Sequence, residues 1–333
     1  MHILILILLL VTFSCEDTLR ENNEKTNLLF VASEGNFGNS DGAIYVFDGD
    51  ENIQVIEDIG DVVQSLLVHN DKLYVAVNNS HLIKIFQITE SGLSLPGIEI
   101  LTDNSSPREM CIVNNKLYFT NWNTKNVKVL NLYTYSFESS ISLDGVPEDI
   151  VSDNTHLWVS IPNIELYDKN EGSSVVKINI TTGEVVENYE VGSGPNHMIL
   201  DNDLLWISRT FYNSYWEAYY GSSVLNIQTG EISIIDYGAG TVCGGNLVKL
   251  NNQIYRTANG GVVTLDTDLS LNFSSRIGNY GSLYSSGSDN QSLFLGVSDY
   301  IAPDTVYIHD EVGDQIGLLS VGVLPGDFAV WEN

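Results

Sequence analysis

Gly145-Val-Pro-Glu-Asp-Ile-Val-Ser-Asp-Asn-Thr-His-Leu-Trp-Val-Ser160, followed after a polar insert by Ser174-Val-Val-Lys-Ile-Asn179, is the stretch from which the fold can be read. Its short apolar runs at 150–152, 157–160 and 175–178 are separated by turn-forming residues, which predicts three β-strands. A sheet of this size cannot bury both of its faces, so it has to stack against other sheets. The chain is therefore expected to contain further copies of this unit.

The copies are found by aligning the aliphatic-aromatic pair Leu157-Trp158. Equivalent pairs begin at Leu29, Leu73, Leu117, Leu205, Ile254 and Leu293. Consecutive pairs lie 44, 44, 40, 48, 49 and 39 residues apart, which is the period of a four-stranded propeller blade. The sequence therefore predicts an all-β protein, a seven-bladed β-propeller.

A proline ten residues before the pair, at Pro107, Pro147 and Pro195, leads the first strand of three units. The same Pro-led strand recurs at Pro325, near the end of the sequence, with no further strands after it. We expect it to pair with the N-terminal unit, residues 27–48, and so to close the ring without a free sheet edge.

Charge excludes some classes of partner. The 333 residues include 43 acidic and 14 basic side chains, for a net charge of -29. Such a surface repels phosphate backbones and anionic lipids, so we expect neither nucleic acid nor anionic membrane as a ligand. A solvated exterior accounts for most of this charge.

The N-terminus indicates export. An apolar run at residues 3–11, too short to span a bilayer, is followed by Thr12-Phe13-Ser14-Cys15. This pattern resembles a bacterial lipobox, with residues 1–14 as the signal peptide, Cys15 as the lipidated residue, 15–26 as a polar tether and 27–333 as the propeller. Glu16-Asp17 resemble the surface-export signal of Bacteroidota lipoproteins, which implies a lipid anchor in the outer membrane, facing outward. The alternative is an ordinary secretory signal with an incidental cysteine.

Long inserts indicate the functional face. In a propeller the loops that join the second and third strands open on the same face as the loops that enter the first strands. The longest are 161–173 and 209–222, and the second carries six aromatic residues, which suits stacking on a ligand. The alternative is a loop that packs its aromatic side chains against one another. Candidate ligand-binding residues on this face are Phe37, Trp122, Tyr167, Arg209, Phe211, Tyr215, Trp216, Tyr280 and Tyr300.

The position two residues after the proline defines a second set. Equivalent residues in the seven units are Ser65, Glu109, Asp149, His197, Gly245, Ser285 and Asp327. These side chains are expected to surround the channel below the loop face. Of this set, Glu109, Asp149, His197 and Asp327 are candidates for gripping a polar ligand or a cation. The alternative is a water-filled shaft whose side chains cap backbone donors.

The sequence offers little for catalysis. It contains no nucleophile elbow, zinc-protease motif or phosphate loop. Neither Cys111 nor Cys243 has a histidine close by in sequence, so no nucleophile is assigned. We expect a binding protein rather than an enzyme, without a resident cofactor or metal.

A family resemblance rests on Glu34-Gly-Asn-Phe-Gly38 in the first unit and on the Pro-led repeats. In these features the mature chain resembles the YncE-like surface lipoproteins of Bacteroidota. The resemblance implies capture of cobalamin or a related corrinoid and its delivery to an outer-membrane TonB-dependent transporter. It implies a monomer apart from that transporter, and it carries over no ligand-binding residue.

Two other functions stay open. One is a lactonase or lyase type of propeller enzyme, which needs a Ca²⁺-type cation held by acidic and amide side chains such as Glu34, Asn121 and Asp149. The other is a surface that binds glycans or proteins and has no small ligand.

Overall fold

The computed structural model describes residues 27–240 and 245–333. These residues form seven four-stranded antiparallel sheets arranged as a ring, so the predicted seven-bladed β-propeller is confirmed. No helix among them is long and apolar enough to cross a membrane. Cys15, Cys243, the signal peptide and the tether all lie outside the described residues.

The strands follow the chain from the channel outward in each blade. Blade one has β1 (Asn27–Ser33), β2 (Gly42–Asp48) and β3 (Glu51–Gly60); blade two has β4 (Val63–His69), β5 (Lys72–Val77), β6 (Leu82–Thr89) and β7 (Gly92–Leu101). Blade three has β8 (Pro107–Val113), β9 (Lys116–Asn121), β10 (Asn126–Asn131) and β11 (Ser136–Ser142); blade four has β12 (Ile150–Ser152), β13 (His156–Ile161), β14 (Ser174–Asn179) and β15 (Val185–Glu190). Blade five has β16 (Pro195–Asp201), β17 (Leu204–Tyr212), β18 (Ala218–Asn226) and β19 (Ile232–Ala239). Blade six has β20 (Leu247–Leu250), β21 (Gln253–Ala258), β22 (Gly261–Leu265) and β23 (Leu271–Ile277); blade seven has β24 (Leu283–Ser288), β25 (Leu293–Val297), β26 (Asp304–His309) and β27 (Gln315–Val321).

The last strand, β28 (Pro325–Glu332), closes the ring. It pairs with β1 from Asn27 opposite Glu332 to Ser33 opposite Pro325, and it forms the innermost strand of blade one. The closure predicted from the Pro-led strand is confirmed.

Both faces of the middle strands are buried, which explains their unbroken apolar runs. In β5, Leu73 and Val75 pack towards blade one, while Tyr74 and Ala76 pack towards blade three. Successive side chains of a strand point to opposite faces, so a strand buried between two neighbouring blades needs apolar residues at both its odd and its even positions. Each fully buried leucine of this kind stabilises the fold by about 1.5–3 kcal/mol.

The two classes of loop do meet on one face, which we call the loop face. The amide of Trp122, after β9, donates to the carbonyl of Ser106, before β8, at 3.1 Å. The amide of Tyr280, before β24, donates to the carbonyl of Gly260, after β21, at 2.7 Å. Such hydrogen bonds fix the positions of the two classes of loop relative to one another.

The insert at 209–222 differs from the prediction. It is not a loop, because β17 and β18 continue through it as a hairpin with Phe211 opposite Tyr219 and Tyr212 opposite Ala218. Only residues 213–217 form the turn. The aromatic residues favour a paired, pleated backbone, and this preference extends the strands beyond the blade.

Candidate functional site

A central channel runs through the ring and encloses a cavity of about 760 Å³. The predicted residues Glu109, Asp149, His197 and Asp327 all line it. Ser285 lines it as well, and its hydroxyl donates to the carbonyl of Pro325, while the hydroxyl of Ser65 donates to the carbonyl of Arg108 at 2.6 Å. The serines therefore tie adjacent inner strands together.

In blade six the predicted position is wrong by one residue. The amide of Thr257 donates to the carbonyl of Asn246, as the amide of Ser160 does to the carbonyl of Asp149 in blade four. Asn246, not Gly245, is thus the counterpart of Asp149. The loop before β20 has no proline to fix the alignment, which explains the error.

Sequence reasoning missed a second ring of channel residues, one position earlier in each unit. It consists of Gln64, Arg108, Glu148, Asn196, Gly245, Tyr284 and Gly326. The pairing of β8 with β9 shifts register between Pro107 and Met110, and β16 shifts in the same way between Pro195 and Met198. A bulge of this type re-aims side chains, so two consecutive residues reach the channel. The repeated polar or aromatic residue directly after the proline position was the available signal.

Three of the predicted channel side chains cap backbone donors, and each of them caps one donor of the next blade. Asp149 accepts from the amides of Ile150 at 2.7 Å and Met198 at 2.5 Å. Asp327 accepts from the amide of Leu66 at 2.7 Å, and Nδ1 of His197 accepts from the amide of Leu247 at 3.3 Å. For these three residues, the capping alternative describes what the structure shows.

Glu109 is different, because its carboxylate lines the cavity without a hydrogen-bond donor from any described residue. Burial, reinforced by the charges of Asp327 and Asp149, raises its pKa well above the usual range. Burial raises the pKa of Asp327 to about 6 and also raises the pKa of Asp149 and Glu34. The channel thus presents acceptor-rich carboxyl groups, of which Glu109 is available to a ligand.

At the channel mouth Arg108 holds a fixed cluster. Its guanidinium bonds to both carboxylate oxygens of Glu148 and to the amide oxygen of Gln64, and it lies 4.0 Å from the ring centroid of Trp122. The indole N–H of Trp122 donates to Glu148 at 2.8 Å. Trp122 is therefore half-buried and held in place, with the ring of Tyr167 packed edge-on against it at 6.4 Å.

Exposed aromatic side chains lie on the loop face, and Tyr212 among them lines the channel cavity. They are Phe37, Tyr167, Tyr212, Tyr215, Trp216 and Tyr300, from blades one, four, five and seven. Tyr215 is 83% exposed and Trp216 is 57% exposed. We call these six residues the aromatic rim.

Several rim residues are held by their backbones. Tyr167, Trp216 and Tyr300 have φ values of 62°, 64° and 68°, a left-handed conformation that is uncommon for bulky residues and costs on the order of 1–3 kcal/mol. The loop of Phe37 is held by the Gly38 amide, which donates to the Asp61 carboxylate at 2.9 and 3.0 Å. Strained backbone of this kind clusters at functional sites.

The two long inserts support each other. The amide of Tyr212 donates to the carbonyl of Lys169 at 3.1 Å, and the side-chain amide of Asn170 donates to the carbonyl of Thr210 at 2.6 Å. The ammonium of Lys169 lies 5.2 Å from the ring centroid of Trp216. Blades four and five therefore present one continuous wall above the channel.

Some predicted binding residues do not face a ligand. Arg209 is 1% exposed, and its guanidinium bonds to the Ile235 carbonyl and to Asp236, so the expectation that it contacts a ligand is wrong. Phe211 stacks on Tyr219 at 5.9 Å across the hairpin. The alternative of self-packing therefore holds for part of this insert.

Tyr280 and Tyr300 line a side pocket between blades six and seven, and neither of them lines the channel cavity. Tyr284 lines both cavities and separates them.

The three residues considered for a cation do not come together. Asn121 is buried, where its amide nitrogen donates to the carbonyls of Phe119 and Asn126 and its oxygen accepts from Ser105, whereas Glu34 and Asp149 line the channel. Among residues 27–240 and 245–333, no group of three or more His, Cys, Asp or Glu side chains is arranged to hold a metal ion. The free thiol of Cys111 packs beside the core, and burial raises its pKa, so it is unreactive.

Comparisons with known proteins show the fold alone. No protein-family model and no curated protein sequence matches the chain. Among solved structures, it is similar to a functionally unknown protein from Desulfotomaculum acetoxidans, with a TM-score of 0.65 and 13% identity over 90% of this chain and 98% of that one. Hydrazine synthase from Kuenenia stuttgartiensis gives a TM-score of 0.61 at 13% identity over 79% and 88% of the two chains. Apo AztD from Citrobacter koseri gives 0.57 at 10% identity over 92% and 98%.

Proposed function

We propose that this propeller is a binding module that captures a corrinoid such as cobalamin at the loop face and passes it to an outer-membrane TonB-dependent transporter. The observation that carries the proposal is the aromatic rim on the loop face, together with the cavity of about 760 Å³ that Tyr212 of the rim lines. A site that binds a large, partly apolar molecule combines such rings with a few fixed polar groups.

The chemistry of the two layers suits a planar macrocycle with amide arms. Tyr215 and Trp216 offer exposed ring surface on the loop face for stacking. Below them Glu109 offers an acceptor without a donor from the described residues, and the amide arms of a corrinoid carry N–H donors. A hydrogen bond to the carboxyl oxygen of Glu109 contributes about 0.5–1.5 kcal/mol.

The proposal includes the family and the location. The Glu34–Gly38 run belongs to a tight loop, since Gly35 has a φ of 81° and a Cβ there would lie 2.5 Å from Asp41 and Gly42. This constraint explains the glycine of the run and supports a YncE-like assignment. With Cys15 lipidated, the propeller is anchored to the outer membrane, faces outward and acts as a monomer beside its transporter.

The test is direct. Residues 16–333 are purified, mixed with cyanocobalamin and passed through a desalting column. We expect the red chromophore to elute with the protein. A colourless protein fraction contradicts corrinoid capture.

A further inference from the structure

The side pocket between blades six and seven is a separate cavity of about 430 Å³. The loop after β21 provides Asn259 and Gly260, and the segment before β24 provides Tyr280 and Gly281. The loop after β25 provides Asp299 and Tyr300, and Tyr284 forms the wall towards the channel. Of the residues on which the corrinoid proposal rests, Tyr300 of the aromatic rim is the one that lines this pocket.

Three tyrosine rings form its walls, and two of them turn their hydroxyls away to fixed partners. The Tyr284 hydroxyl donates to Glu34 at 2.7 Å. The Tyr280 hydroxyl lies 2.9 Å from Nε2 of His309, whose Nδ1 lies 3.0 Å from the carbonyl of Gly313 and therefore carries the ring proton. Nε2 then accepts from Tyr280. These two residues offer the pocket ring surface rather than hydroxyl groups.

The rings are fixed in place. Tyr280 stacks on Tyr307 with ring centroids 4.2 Å apart, and burial raises the pKa of Tyr280 and of Tyr284, so both stay neutral. Tyr300 meets Tyr284 nearly at a right angle, at 80° and 6.2 Å. Two perpendicular aromatic walls on a rigid base form a corner into which a compact group can fit.

The charge in the pocket has one sign. Among the described residues, Asp299 is the one acidic side chain that lines it, held at 2.9 Å by the Ile301 amide, and no Lys, Arg or His does. The whole chain carries a net charge of -29. Both features favour a cation over a neutral or anionic group.

We infer that the side pocket binds a small organic cation with a methylated ammonium group. The negative faces of aromatic rings attract such a cation, and aromatic cages recognise quaternary ammonium groups in this way. A methylated ammonium group also loses little hydration on entry, and Asp299 supplies the opposite charge.

The inference is tested with choline as the probe and 3,3-dimethylbutan-1-ol, its uncharged analogue of the same shape, as the matched ligand. Ligand-detected NMR titration of residues 16–333 is expected to show choline binding at least about tenfold tighter than the alcohol. Equal affinity for the two ligands would show an apolar cavity that does not recognise the positive charge, and it would overturn the inference. An absence of choline binding would also overturn it.

Two variants locate the site. Tyr300→Ala removes one wall and is expected to weaken choline binding about fivefold or more. Gly281→Phe adds a ring to a residue that lines the pocket, and the backbone tolerates it because a Cβ at Gly281 meets no atom within 4 Å and its φ is not left-handed. The control is Val312→Phe, which adds the same ring to an exposed loop between β26 and β27, on the opposite face of the same blade. Choline binding that survives Gly281→Phe, or that Val312→Phe lowers equally, would contradict the assignment.

Discussion

Ring closure depends on one side chain that can be removed without touching the proposed ligand sites. Trp331 lies on β28 opposite Leu28 of β1 and is 6% exposed. It packs in the core shared by blades one and two, with Phe30 and Leu73 among its neighbours in that cluster. Its indole N–H donates to Asp71 at 3.2 Å, which links the last strand of the chain to blade two.

Trp331→Ala is therefore expected to be severely destabilising. Replacing a buried Trp by Ala costs about 3–5 kcal/mol, and the lost hydrogen bond to Asp71 adds about 1 kcal/mol. The free energy of unfolding of a typical protein is about 5–15 kcal/mol, so a large part is lost. At about 2 °C or more per kcal/mol, the Tm is expected to fall by at least about 6 °C.

Thermal melts followed by circular dichroism measure this change. The matched control is Trp216→Ala, because Trp216 is 57% exposed and surface substitutions usually stay within about 0.5 kcal/mol. Deleting residues 322–333 removes all of β28 and is expected to unfold the ring. A Trp331→Ala protein that melts within about 2 °C of the wild type would refute closure as the source of stability.

Two further predictions concern pH and anchoring. Because burial raises the pKa of Asp327 from 3.8 to about 6, the folded protein binds this proton more tightly than the unfolded chain. The resulting stabilisation is complete below the unfolded pKa and is lost as the pH rises through about 6. Asp327→Asn stays neutral, so the Tm of the variant minus the Tm of the wild type is expected to increase from about pH 4 to about pH 7. A Tm difference that stays constant in melts across this range would contradict the prediction. Cys15→Ala is expected to release the protein from the membrane fraction, as followed by immunoblotting, and a cleaved variant that stays in that fraction would argue against lipidation.

Most of the fold could be predicted because its signals are periodic. The pairs at Leu73, Leu157 and Leu293 recur at blade spacing, and every one of them lies on the second strand of a blade. Closure followed from the Pro-led strand at Pro325, because a strand with this pattern needs partners that the remaining residues do not supply.

The errors arose where local geometry overrides the pattern. A bulge between Pro107 and Met110 turns Arg108 as well as Glu109 towards the channel, and spacing alone does not reveal a bulge. Arg209 follows a strand in sequence, but the strand continues and buries the guanidinium beside Asp236.

Trp122 shows a similar limit. Its position on a loop predicts an exposed ring, whereas the ion pair of Arg108 with Glu148 fixes it in a half-buried site. Glu148 comes from the neighbouring blade, so this contact cannot be read from the unit of sequence that contains Trp122. Tyr215 and Trp216, which remain exposed, are thus the better pair for testing the rim.

Isothermal titration of cyanocobalamin into residues 16–333 and into the double variant Tyr215→Ala/Trp216→Ala tests the proposed function most directly. We expect the wild type to bind and the double variant to bind at least about tenfold more weakly, since each stacked ring contributes about 1–3 kcal/mol and 1.4 kcal/mol corresponds to tenfold. Circular dichroism checks that the variant is folded. No heat of binding with the wild type, or equal affinity in a folded double variant, would contradict capture of a corrinoid at the aromatic rim.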